Sequence, residues 1–171
     1  AVGGDAAEQR GAFGLMLHFA YGSNMHRAVM RKYAPHAQPL GIAALADFRF
    51  VITADGYASV VPRRGETVHG VLWRLTPRDR VTLDAWEGIT AGRYRAAALP
   101  IGCAGSCRPA LVYMARPLSA GRAKAGYMEL VIAAAQEWKL PADYISSLQR
   151  WLPRRPSGGI GRRERGEFRW T

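Results

Sequence analysis

The sequence predicts an α+β fold, a mostly antiparallel sheet or small barrel with helices packed outside it. Three observations carry this. Short runs of alternating apolar residues recur between Gly- and Pro-marked turns. Segments with helix punctuation are interleaved with them in the order β-α-β-β-β-α-β-β-α-α. A chain of 171 residues with an apolar fraction of 49% and a charged fraction of 22% suits one domain with a sizeable core.

The elements follow in chain order. Residues 15–20 read as a short apolar strand. Residues 25–33 read as a helix, with Asn24 as N-cap and Pro35 as stop. Residues 40–53 form a long strand through the alternation Phe48/Phe50/Ile52. The Asp55-Gly56 turn leads into a strand over 57–62. A further strand covers 67–75, with His69, Val71 and Trp73 on one face. Gly70 within it marks a bulge or a close backbone approach. The helix over 76–89 has Thr76 as N-cap, Pro77 at N1, Asp79 in the first turn and Gly88 as the stop. Two strands then flank the turn in GCAGSC, read as Ala-Gly-Ser. The segment 119–138 is mostly helical. A last helix opens at Pro141 and carries Tyr144, Leu148, Trp151 and Leu152 on one stripe.

The domain is expected to span 15–152. Residues 1–14 lack a basic segment followed by an apolar run, so they read as a flexible arm rather than a signal peptide. No apolar run approaches the roughly 18–20 residues of a membrane span. Cys103 and Cys107 are expected as free thiols in a reducing cytoplasm. The net charge is +11, and six arginines fall within 153–171. That tail reads as a solvated basic extension, with weak nonspecific polyanion contact as the alternative. Monomer and homodimer both stay open.

No GxxxxGK[ST], GxSxG or HExxH motif is present, and the four histidines have no metal-ligand spacing. The expectation is no metal and no cofactor. Two features can carry chemistry. The first is the strand-to-helix junction Tyr21-Gly22-Ser23-Asn24. It is either simple helix capping by Asn24 or an anion cradle made by the N–H groups of Gly22, Ser23 and Asn24. The second is Glu87, directly before the helix stop. It is either an exposed helix-end carboxylate or a general acid/base. The helix dipole and the apolar neighbours Trp86 and Ile89 would favour its neutral form.

The ordered set FAYGSNM, TVHGVLWRL and LDAWEGITAGRYR resembles the γ-glutamylcyclotransferase family, whose fold is also called AIG2-like. The resemblance spans most of 17–152, including Tyr127 and LPADYISSL. It implies a small mixed β-barrel with surrounding helices. It implies an enzyme that cyclises a γ-glutamyl group to 5-oxoproline and releases the attached amine, without cofactor. It points to Glu87 as the general acid/base. The loop His18, Phe19, Ala20, Tyr21, Gly22 and Ser23 would hold the glutamyl moiety, with Tyr127 on the opposite wall. His18 departs from the pattern, which often has an aromatic such as Tyr there. The bound anion would be the α-carboxylate of the glutamyl group or the oxyanion growing on its γ-carbonyl. The alternatives are a cyclotransferase for γ-glutamylamines and a nonenzymatic polyanion-binding domain on the same fold.

Overall fold

The computed structural model describes residues 16–116 and 119–153. The arm expected over 1–14 and, apart from Pro153, the arginine tail lie outside the described residues.

Five strands close into a barrel in the order β1-β3-β2-β4-β5. They are β1 (Met16–Ala20), β2 (Gln38–Ile52), β3 (Ala58–Leu75), β4 (Tyr94–Cys103) and β5 (Ser106–Ala115). All pairings are antiparallel except that of β1 with β5, where His18 sits opposite Leu111 in parallel and closes the barrel. Among the described residues four α-helices surround it: α1 (Arg27–Tyr33), α2 (Pro77–Trp86), α3 (Tyr127–Glu137) and α4 (Ala142–Leu148). The small mixed barrel expected from the sequence is therefore the observed architecture.

The strands expected over 57–62 and 67–75 are one strand of 18 residues, β3. The pairing of β2 with β3 shifts register twice. β2 carries one extra residue between Pro39 and Gly41. Between Ala46 and Phe48 the polar stretch 63–66 of β3 leaves the pairing, since Ala46 pairs with Thr67 and Phe48 with Pro62. At the second, Asp47 adopts φ 60° and accepts from the Gly65 N–H at 2.8 Å. Gly70 pairs regularly with Ala43, so it is no bulge. It is a close approach: a Cβ there would lie 2.2 Å from the Ala20 carbonyl oxygen. Both faces of β3 from Val68 onward are largely buried. One faces the barrel interior, and on the other His69 meets Tyr144 and Trp73 meets Trp138 of the C-terminal helical region.

Three further readings are corrected. Asn24 does not cap α1. Ser23–Met25 form a 3₁₀ turn, and His26 caps α1 by accepting from the Ala28 N–H at 3.2 Å. The helix expected from 119 begins only at Tyr127. Ala120 bridges to Thr53, and a Cβ on Gly121 would fall 2.1 Å from the Thr53 carbonyl oxygen, so this segment is bound to the sheet edge as extended chain. The β4–β5 turn has two residues, Ala104 and Gly105, both with positive φ. Ser106 already belongs to β5. Cys103 and Cys107 are free.

Candidate active site

The helix α2 carries the central carboxyl group, and its position is set at both ends. At its start Thr76 and Asp79 form a reciprocal capping box, and Asp79 also accepts from the His36 N–H at 3.2 Å. At its end the N–H of Gly88 bonds to the Ala85 carbonyl and that of Ile89 to the Asp84 carbonyl, with Gly88 at φ 65°. This paired arrangement closes the helix and leaves Glu87 as its C-cap residue. In between, Leu83 is fully buried, Trp86 stacks on Tyr33 at 3.9 Å, and Asp84 accepts from Tyr113 Oη at 2.6 Å. Arg80 grips Asp84 one turn earlier at 2.7 Å.

A cavity of about 640 Å³ opens beside this helix end. Every residue singled out from the sequence lines it: His18, Phe19, Ala20, Tyr21, Gly22, Ser23, Asn24, Glu87 and Tyr127. Fold closure brings β1 and its following loop, the end of α2 and the start of α3 to one place.

Glu87 is fixed by the loop. Asn24 Nδ2 donates to Glu87 Oε1 at 2.7 Å. Burial raises the Glu87 carboxyl from its ordinary range to about 7. The Asn24 hydrogen bond and the positive charge of Arg93 oppose the rise, and the negative charge of Asp84 adds to it. The carboxyl therefore stands near the midpoint of its titration at neutral pH. Of the two readings of the 21–24 junction, capping of α1 by Asn24 is excluded by this contact. Among the described residues, no backbone acceptor takes the N–H of Gly22 or Asn24, and both can meet an anion. The Ser23 N–H is turned to the Tyr127 hydroxyl.

Tyr127 is buried with its hydroxyl against the loop, accepting from the Ala58 N–H at 3.2 Å and raised by burial to about 12. A Cβ on Gly22 would stand 2.8 Å from that hydroxyl, so glycine is required there by close approach. Tyr21 donates to the Tyr113 carbonyl oxygen, and burial holds its hydroxyl protonated. His18 is buried, and burial lowers it to about 4, so it is neutral at pH 7. Its Nδ1 lies 3.2 Å from the Leu111 carbonyl oxygen, an acceptor, which assigns the proton to Nδ1. His18 therefore serves the barrel seam. Its Nε2 is buried without a hydrogen-bond partner among the described residues.

Sequence reasoning missed Tyr57, Arg93, Tyr94, Tyr113 and Lys124, which also line the cavity. Tyr94 donates to the Ala58 carbonyl at 2.8 Å, so Ala58 holds Tyr94 through one backbone group and Tyr127 through the other. Tyr94 falls in the AGRYR stretch beside Glu87, the one available signal. Tyr113 lies in an apolar strand run with nothing to mark it. Among the described residues there is no group of three His, Cys, Asp or Glu side chains arranged to hold a metal ion. No described helix is long and apolar enough to cross a membrane.

Comparison with known proteins places this geometry. Residues 67–148 match the model of the AIG2-like family. Over 160 residues the chain is 26% identical to γ-glutamylcyclotransferase of Homo sapiens and 28% identical to that of Mus musculus, covering 84% of this chain and 82% of each relative. A solved structure titled γ-glutamyl cyclotransferase superposes with a TM-score of 0.77 at 23% identity, over 85% of this chain and 93% of that one. The resemblance drawn from the motifs is thus borne out, and the barrel with its helices is the γ-glutamylcyclotransferase-like fold.

Proposed function

We propose that the chain is a γ-glutamylcyclotransferase-type enzyme, closing a γ-glutamyl group to 5-oxoproline and releasing the attached amino acid or amine. The observation that carries the reading is Glu87, a buried carboxyl near pKa 7 on the wall of the cavity that the 18–24 loop also lines. The names of the relatives support it.

In this mechanism ionised Glu87 takes a proton from the α-ammonium of the glutamyl group. The freed amine attacks the γ-carbonyl, and charge moves onto its oxygen. The N–H groups of Gly22 and Asn24, with that of Ser23 once it turns from the Tyr127 hydroxyl, offer donors for that oxyanion or for the α-carboxylate. Glu87 then hands that proton to the departing nitrogen as the old C–N bond breaks. The ring nitrogen, still holding two hydrogens, releases one to the Glu87 carboxylate, and that proton leaves with the released amine as its ammonium. One carboxyl serves both steps, because a group with a pKa near the working pH can take and give protons with little driving-force loss. Ring closure is intramolecular, so the loop and Tyr127 need only hold the chain folded back on itself.

The test is a screen of γ-glutamyl amino acids, glutathione and γ-glutamylamines, read as 5-oxoproline formation. Turnover of any of them that Glu87→Gln abolishes supports the proposal. No 5-oxoproline from any of them overturns it.

A further inference from the structure

The cavity is uneven in charge and exposure. Its inner residues Ala20, Tyr21, Asn24 and Tyr127 are buried. Its outer residues Arg93, Lys124 and Tyr57 are exposed. Neither Arg93 nor Lys124 belongs to a salt bridge among the described residues, although both sit in a cavity wall. Asp55, whose charge reaches Tyr94, pairs with neither.

Both cations are held in place rather than trailing into solvent. Lys124 Nζ lies 4.4 Å from the centre of the Tyr57 ring and donates to Tyr57 Oη at 3.0 Å. Tyr57 in turn packs edge-on against Tyr127 at 5.3 Å. The Arg93 side chain crosses Gly88, where a Cβ would meet its Nε at 2.2 Å. Its single protein acceptor among the described residues is the Trp86 carbonyl at a long 3.4 Å. Lys124 thus reaches Tyr127 through Tyr57, the charge of Arg93 reaches Glu87, and both cations are exposed residues of the cavity wall.

We propose that Arg93 and Lys124 form the leaving-group subsite and select γ-glutamyl substrates whose departing amine carries a carboxylate. The proposal rests on the cyclotransferase reading. With the glutamyl group against the inner loop, the scissile bond lies at Glu87 and the departing amine extends outward between the two cations. A departing α-amino acid brings a carboxylate to them, whereas a cationic amine such as the lysine side chain meets repulsion.

The experiment compares kcat/KM for γ-glutamyl-alanine and γ-glutamyl-alanine amide, which differ only in that carboxylate. The wild-type protein is expected to favour the acid by roughly 3- to 30-fold, as two partly exposed charge pairs allow. Rising salt should shrink that preference. Lys124→Met should reduce the ratio toward unity through KM. The double variant with Arg93→Met should reduce it further, with an added change in kcat common to both substrates because the Arg93 charge also acts on Glu87. Equal use of both substrates by the wild type, or an undiminished ratio in the double variant, overturns the proposal. An equal loss on acid and amide in Lys124→Met also overturns it, by assigning that cation to the glutamyl carboxylate. Turnover with any of those patterns leaves the cyclotransferase reading intact, while absence of 5-oxoproline from every γ-glutamyl compound removes that reading and this one together.

Discussion

Asn24 Nδ2 donates to Glu87 Oε1 at 2.7 Å, joining residues 63 apart in the chain. The bond ties the turn after β1 to the end of α2. It favours the ionised carboxylate, against burial, which favours the neutral acid. The balance between them sets the proton affinity of the site.

Glu87→Gln tests the acid/base role. The amide keeps the shape but cannot exchange a proton, so kcat should fall by roughly 10²–10⁴. Stability gives an independent reading. The folded carboxyl titrates near 7 and the unfolded one near 4.5. Below about pH 4.5 both states are protonated. Between 4.5 and 7 the unfolded state loses its proton first, so this group makes stability decline as pH rises, levelling above 7. The Gln variant should lack that decline in urea titrations between pH 4.5 and 7.5. Near wild-type turnover would refute the assignment.

Asn24→Leu removes the donor that holds the Glu87 carboxylate down. If ionised Glu87 starts the reaction, kcat/KM rises with pH and inflects near 7 in the wild type. The variant's inflection should move to higher pH, because the opposing burial and Asp84 charge remain. An inflection that stays put would show that Asn24 serves only the loop.

Gly22→Val fills the space that the Tyr127 hydroxyl occupies, 2.8 Å from the added Cβ. The clash displaces Tyr127 or the loop, and overpacking of this kind costs about 1–3 kcal/mol. KM for the best substrate should rise in a protein that still folds by circular dichroism. Unchanged kinetics would separate Gly22 from the ligand.

Gly70→Ala tests how the barrel supports the site. Its methyl group would fall 2.2 Å from the Ala20 carbonyl oxygen and 2.9 Å from the Phe19 ring. Backbone on β1 must move, so the urea midpoint should drop by the equivalent of about 2 kcal/mol or more. Activity in the surviving folded fraction should fall too, since β1 leads directly into the 21–24 loop. A midpoint within error of wild type would mean that β1 shifts at little cost.

The helix α2 was legible almost residue by residue, because its signals are local. Thr76, Pro77, Asp79 and Gly88 act on backbone groups within one turn of themselves. Glu87 and the 21–24 loop stood out for the same reason, each being an exception at an element boundary. Local patterns misled where a segment's state depended on distant chain. The polar middle of β3 reads as a break, and residues 63–66 do leave the pairing with β2, but the strand carries through them from Ala58 to Leu75. Residues 119–126 carry helix-forming composition but are bound to Thr53 across the fold.

The sequence by itself determined most element types and the class of fold, since capping, turn chemistry and alternation are short-range effects. It left Glu87 and the 21–24 loop open between a structural and a chemical reading, and the family resemblance pointed to the chemical one. Only the tertiary structure decided that Asn24 bonds Glu87 rather than capping α1, that Ala58 holds both Tyr94 and Tyr127, and that Arg93 and Lys124 share one cavity mouth. These follow from the closing of the barrel at His18 and Leu111. That closure joins residues 93 positions apart, and short-range preferences carry no information about such distances.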